Sequence, residues 1–266
     1  MTESGHERAS EVRYEVRDHV ARVTIDRESK RNALSFDTTS QLRDCFRNAD
    51  GDREVRVIVL SGAGRQAFCA GADLGGIRGG ANDAEAAHAG RGHLAALFTE
   101  MYQLGKPTIA RVQGYALAGG FGLALACDFV VASDEATFGA PEVSIGLWPY
   151  MITVPLVRSM RPKDALDLIL TGRCVTASEA RELGFVSRLA SAADLDRTLD
   201  ELAGHLATRS PGAIRLGRPA FYRALDQTSA QALPELQAIL SVATTIPDAA
   251  EGIAAFREKR SPQWPA

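Results

Sequence analysis

No CxxC pair occurs in this sequence, and its four cysteines, Cys45, Cys69, Cys127 and Cys174, lie far apart. That spacing gives neither a zinc ribbon nor a disulfide framework, and it predicts reduced, mostly buried thiols in a cytoplasmic protein. The five histidines, His6, His19, His88, His93 and His205, show no metal-ligand spacing, so no metal site is expected. GxSxG is absent, which removes the serine nucleophile elbow. No apolar run approaches the ~18 residues needed to span a bilayer. The N-terminal MTESGHERASEV lacks the apolar core of a secretory signal and is expected to fray. There is no excess of basic charge: 30 Lys and Arg stand against 33 Asp and Glu, for a net charge of −3. Nucleic acid is therefore not expected as a partner.

What is present suits an ordinary globular chain of 266 residues, 45% hydrophobic and 24% charged. HVARVTIDR (19–27) alternates like a half-buried strand. SFDTTSQLRDCFRNAD has helical spacing that would put Phe36, Leu42, Phe46 and Ala49 on one face. VRVIVLSG (55–62) is a continuous apolar run ending at glycine, as in a buried parallel strand. Ala81–Leu104 reads as helix, weakened by Gly90 and Gly92, and PTIARVQG as strand. Alternating strand and helix predicts a parallel sheet with crossover connections. The later signals are helical: Thr176 with Glu179 as a capping box closed by Gly184, then SAADL, then Ser210 before Pro211. We expect an α/β core over 1–190 and a helical region over 191–266 that packs on a neighbouring subunit.

Two glycine-bearing stretches invite functional readings. GAGRQA (62–67) fits the loose dinucleotide pattern GxGxxA, but that site needs a helix directly after the glycines, and FCAGADLGG is poor helix material. A nicotinamide oxidoreductase is not expected. GYALAGGFGLALACD (114–128) places Gly119-Gly120 at the start of an apolar helix, where each glycine costs about 1 kcal/mol relative to alanine. Either the pair permits close helix–strand packing, or it lets a ligand approach the backbone at a helix N-terminus.

AFCAGADL (67–74), GYALAGGFGLALACD and FGAPEVSIGL (138–147), in that order, resemble the enoyl-CoA hydratase/isomerase, or crotonase, family. RESKRNAL (27–34) and the C-terminal AAFREKR (254–260) extend the resemblance over nearly the whole chain. It implies a spiral of ββα repeats with a helical C-terminal oligomerisation region, assembled as a trimer or hexamer. It also implies an acyl-CoA thioester substrate, with coenzyme A entering as part of that substrate and no permanently bound cofactor. The amides of Ala72 and Gly119 would stabilise a thioester enolate, each donor contributing about 3–4 kcal/mol. Glu142 would be the proton-transferring base, its pKa raised by partial desolvation. Ala70, Asp73 and Leu74 would surround the adenine end of coenzyme A, and Phe256 and Lys259 would reach it from a neighbouring subunit. Arg78 is a candidate phosphate contact, and Asp128 is expected to be structural.

Two departures from the family pattern bear on the reaction. Gly122 stands where hydratases of the family carry a second glutamate, and YMITVP (150–155) replaces a glycine-rich stretch. Trp148, Tyr150 and Met151 either line the acyl pocket or pack the core. His88 or His93 either supplies a second acid/base group or is an ordinary surface histidine. One carboxylate supports double-bond migration more readily than hydration. The expected function is isomerase-like proton chemistry on an unsaturated acyl-CoA. The alternatives are 2-enoyl-CoA hydration and, in another class, a non-catalytic acyl-CoA-binding protein.

Overall fold

A computed structural model describes residues 10–73 and 84–265. His6, Leu74 and Arg78 lie outside the described residues. The chain opens with an antiparallel pair, β1 (Val12–Arg17) and β2 (Val20–Ile25), followed by helix α1 (Phe36–Gly51). Three repeats follow. β3 (Val57–Gly62) and β4 (Ala67–Cys69) lead into α2 (Ala84–Gln103). β5 (Thr108–Val112) and β6 (Tyr115–Leu117) lead into α3 (Gly119–Ala126). β7 (Phe129–Ser133) and β8 (Thr137–Gly139) lead into a 3-10 turn, Pro141–Ile145, then α4 (Thr153–Ser159) and α5 (Pro162–Thr171). β9 (Cys174–Thr176), α6 (Ala177–Glu182) and β10 (Arg188–Ala190) close the α/β part. After β10 the described elements are helices only: α7 (Leu195–Ala207), α8 (Pro211–Leu225), α9 (Ser229–Ala243) and α10 (Pro247–Glu258).

Each repeat sends its first strand to one sheet and its second to another. The larger sheet has the order β1-β2-β3-β5-β7-β10 and the smaller β4-β6-β8-β9. Within them β2, β3, β5, β7 and β10 pair in parallel, as do β4, β6 and β8. This is the expected α/β spiral of ββα units.

The uninterrupted apolar run of β3 has a direct cause. Ile58 and Leu60 point into the main core, while Val57 and Val59 point to the other face, where Leu195, Leu199 and Ala203 of α7 cover them. Burial on both faces removes the alternation that a half-exposed strand shows. In α1, Leu42, Phe46 and Ala49 are fully buried as the spacing predicts. Phe36 departs from that expectation: it is 46% exposed. Its ring lies against α2 at Gly90, where a Cβ would sit 2.5 Å from the Phe36 ring, so the glycine that weakened the helix reading is what lets α1 and α2 meet there.

The helical caps behave as the sequence indicates with two differences, the first being that α7 starts at Leu195 after Asp194, so Ser191 of SAADL accepts from Asp194 N–H at 3.2 Å upstream of the helix and does not cap it. Ser210 Oγ accepts from Ala213 N–H at 3.0 Å with Pro211 in the first turn. Thr176 Oγ1 accepts from Glu179 N–H at 3.3 Å, but the Glu179 carboxylate turns to Arg173 instead of completing the box. Asp128, just past α3, ties α8 to the core. It accepts from Thr108 N–H (2.7 Å), Arg218 Nε (2.8 Å) and Tyr222 OH (2.6 Å).

Candidate active site

Three neighbouring parallel strands of the small sheet, β4, β6 and β8, end at one edge, and the candidate residues follow each end within three positions. Cys69 pairs with Ala116, and Leu117 with Gly139. Ala72 stands three residues past β4, Gly119 two past β6 and Glu142 three past β8. Carboxyl ends of parallel strands are where loops converge on ligands in α/β folds. Here the sheet register brings together three motifs that are 47 and 23 residues apart in the chain.

The Ala72 loop is held from behind by the RNAL segment. Arg31 and Asn32 take left-handed backbone conformations, φ 52° and 56°. Asn32 is 1% exposed, and its side-chain amide donates to the Ala63 and Ala67 carbonyls at 2.9 and 2.8 Å while its oxygen accepts from Arg27 N–H at 3.0 Å. Ala70 N–H donates to the Arg31 carbonyl (3.0 Å). Leu34 then forms a parallel bridge with Ala72: Leu34 N–H donates to Gly71 O at 2.7 Å, and Asp73 N–H to Leu34 O at 2.8 Å. In that pattern the Gly71 carbonyl and the Asp73 N–H, on either side of Ala72, are the groups engaged with Leu34, and Ala72 N–H faces away from the bridge. Asp73 pairs with Arg27 at 2.8 Å, so its carboxylate anchors this loop. In the sequence RNAL is a family signature alone; the left-handed pair and the buried asparagine are its physical content.

The approach to α3 is strained. Ala118 has φ 50° and ψ −127°, a conformation an alanine rarely adopts, and strain of this kind clusters at functional sites. Its N–H donates to Gly139 O at 2.9 Å. Gly71 (φ 96°) packs directly on it, since a Cβ there would lie 2.6 Å from Ala118 Cβ and 3.4 Å from Gly119 N. Gly71, the residue before Ala72, therefore borders the first amide of α3. Neither Ala72 N–H nor Gly119 N–H donates to another described residue.

The two glycines of the pair serve different purposes. A Cβ on Gly120 would lie 2.2 Å from Cys69 O and 2.6 Å from Cys69 Cβ, so Gly120 is required for α3 to pack on β4. For a Cβ on Gly119 the nearest atoms would be Leu34 Cδ1 at 3.4 Å, Leu94 Cδ2 at 3.7 Å and Gly71 Cα at 3.9 Å, which is ordinary contact. The packing explanation holds for Gly120 and leaves Gly119 unexplained.

Glu142 lies in the first turn of the 3-10 segment Pro141–Ile145 and is half-buried. Its Oε2 is buried and finds no partner among the described residues. Burial raises its pKa above the ordinary carboxylate value, only partly offset by a hydrogen bond to its own backbone. A buried unpartnered carboxyl oxygen costs stability, which marks the position as chemical more than structural.

The other expected residues divide. Gly122 is buried, and a Cβ there would fall 2.4 Å from Ile152 Cγ2 and 3.0 Å from Phe98 Cζ, so the place of a second side chain on α3 is already filled. Trp148 and Met151 are half-buried and pack on the main core. Met151 also lines a cavity of about 740 Å³ between α2, α4 and α8, with Phe98, Tyr102 and Arg158; Ala72, Gly119 and Glu142 are not part of its lining. Tyr150, by contrast, is 77% exposed. His93 Nδ1 sits 3.0 Å from Arg43 Nη1, and Arg43 is also bound by Glu100, so this histidine is held toward α1. His88 is exposed. Phe256 (85% exposed) and Lys259 stand on the surface at the end of α10, and the single chain does not bring them to the site. The glycines of GAGRQA lead into strand β4, not a helix, so the dinucleotide geometry is absent there.

A two-sheet spiral of ββα units, with a glycine-opened helix N-terminus and a half-buried glutamate following neighbouring strand ends, is the architecture of the crotonase fold. The chain belongs to the enoyl-CoA hydratase/isomerase family, whose pattern it matches over residues 15–266. It is 36% identical over 254 residues to the carnitinyl-CoA dehydratase of Proteus mirabilis, covering 93% of this chain and 95% of that one. Its structure superposes on enoyl-CoA hydratases of Bacillus anthracis (TM-score 0.90, 30% identity, 96% of this chain and 99% of that one) and Mycobacterium smegmatis (0.91, 30%, 96% and 99%). It is an acyl-CoA-processing enzyme of that family.

Proposed function

We propose that this enzyme moves a proton on an unsaturated acyl-CoA, shifting a double bond between the 3 and 2 positions through a thioester enolate. Ala72 and Gly119 N–H groups receive the developing negative charge on the thioester oxygen, and Glu142 takes the proton from C2 and returns it at C4. The observation that carries this reading is the lone buried carboxyl oxygen of Glu142. A carboxylate held in a desolvated turn has its pKa moved toward the range where it transfers protons near neutrality. Hydration is less well supported, since a second glutamate has no room at Gly122.

Coenzyme A enters with the substrate in this reading, and no permanent cofactor is invoked. Ala70 lies beside the bound nucleotide, and Asp73 holds the loop that borders it. Phe256 and Lys259 act in a neighbouring subunit of a homotrimer or dimer of trimers built through 191–266. Exposed Phe221, Leu233, Leu240 and Phe256 on α8–α10 support such an assembly, because so many large apolar side chains seldom stay in water. A cytoplasmic location fits four unpaired cysteines.

The test is incubation of matched 3-enoyl- and 2-enoyl-CoA in deuterated water with the wild type and Glu142→Gln, read by mass spectrometry. Migration with deuterium uptake in the wild type, lost in the variant while acyl-CoA binding persists, supports the proposal. Binding without exchange or migration in the wild type supports the non-catalytic alternative.

A further inference from the structure

Ile152, within the YMITVP stretch, fills the wall of α3 one turn beyond Gly119. Gly119 and Gly122 are three apart on a helix and share a face. The first borders Leu34 and Leu94, and the second Ile152 and Phe98. Leu94 and Phe98 are themselves one turn apart on α2, so the two helices enclose a continuous hydrocarbon surface. Ile152 is 3% exposed and Phe98 4%. The nearest hydroxyl on the same segment, Thr153, is turned away and donates to Pro149 O at 2.9 Å.

We infer that Ile152, seated over Gly122 against Phe98, is the specificity-determining residue that denies water a place beside the acyl chain and confines the enzyme to proton transfer on an unfunctionalised hydrocarbon acyl group. This inference rests on Glu142 being the base. Adding water to a 2-enoyl thioester forms a C3–O bond, pushes the C2=C3 electron pair onto the thioester as an enolate, and ends with a proton delivered to C2. The water's own proton must leave to a base. The incoming oxygen therefore needs space next to C3 and polar groups to hold it, and an ordered water makes two to four hydrogen bonds. Ile152 and Phe98 occupy the space and offer none. Migration needs no third molecule, because the proton leaves C2 and returns at C4 on one carboxylate. The same wall disfavours a 3-hydroxyacyl substrate, whose hydroxyl would be buried without a partner.

The experiment measures two products from one sample. Enzyme and 2-enoyl-CoA in ¹⁸O-labelled water report 3-hydroxyacyl-CoA, and the same pair in deuterated water reports exchange into the acyl chain. The ratio of hydration to exchange is insensitive to a misfolded fraction, which lowers both. The wild type should exchange with little hydration. Ile152→Ala should raise the ratio at least tenfold, Phe98→Leu should raise it in the same direction, and Ile152→Val should leave it low. An unchanged ratio in Ile152→Ala and Phe98→Leu, or a wild type that hydrates as fast as it exchanges, overturns the inference. A wild type that exchanges nothing refutes the underlying assignment of Glu142 instead.

Discussion

Ala118 N–H donates to the Gly139 carbonyl at 2.9 Å, and from that one bond two functional segments diverge. On one side the chain enters α3 at Gly119; on the other it enters the Pro141 turn that carries Glu142. The hydrogen bond continues the β6–β8 ladder one step past the last strand pair, Leu117 with Gly139. The relative position of the candidate charge-stabilising amide and the candidate base is thus set by sheet register, which burial of the strands specifies.

The buried state of Glu142 predicts a pH dependence of both rate and stability. As a base it must be ionised, and burial raises its pKa, so kcat/KM should climb with pH along a limb above the usual carboxylate range. Glu142→Gln should lower turnover by about 10²–10⁴-fold. For stability the sign is the reverse of a salt-bridged carboxylate. Below the unfolded pKa both states are protonated and Glu142 imposes no penalty. As pH rises, the unfolded chain ionises first, and the native state loses relative stability until the folded pKa is passed. The Tm of Glu142→Gln should therefore exceed that of the wild type at neutral pH and converge with it below about pH 4. Thermal melts across pH check this.

Gly119 and Gly120 should separate under identical substitutions. Gly120→Ala drives a Cβ into the Cys69 carbonyl at 2.2 Å, and overpacking against backbone should cost about 1–3 kcal/mol or more. Gly119→Ala places its Cβ at ordinary contact distance and should fold with near-normal stability. Its methyl faces Leu34 and Leu94, so the loss should appear in kcat/KM for acyl-CoA. Denaturant unfolding and steady-state kinetics on both variants distinguish the two roles.

Asn32→Ala should damage the site without touching substrate. It strips two buried carbonyls of their donor and leaves alanine at φ 56°. An unsatisfied buried group costs about 1–3 kcal/mol. The Ala72 loop hangs from the same segment, so activity should fall further than stability explains. Asn32→Asp keeps the left-handed preference and the acceptor to Arg27 N–H but loses both donors, which makes it the informative companion. Denaturant midpoints compared with kcat/KM for the two variants measure this.

Much of this architecture is legible in the residues. The strand–helix alternation, the caps at Ser210 and Thr176 and the buried face of α1 follow from local periodicity. The small sheet does not, because β4, β6, β8 and β9 are three residues each and too short to show a period. Their edge is what unites the site, so the sequence motifs name its parts while the sheet supplies their arrangement. Phe36 misled because its place is set by a glycine on another helix. Ala118 carries no signal, since nothing in an alanine's identity announces a positive φ. Ile152 was hidden for a similar reason: an isoleucine reads as core until its contact with Gly122 is seen. For Tyr150 and His93 the residue type leaves both pocket and ordinary roles open; in the single chain Tyr150 is exposed and His93 is held toward Arg43.

The central claim is that the amides of Ala72 and Gly119 polarise a thioester carbonyl. Isotope-edited vibrational spectroscopy of a ¹³C-carbonyl 2-enoyl-CoA bound to Glu142→Gln tests it without turnover. The account predicts that the carbonyl stretch moves to lower frequency on binding, as two aligned N–H donors weaken the C=O bond. A bound carbonyl with the frequency it has in water or higher would contradict it.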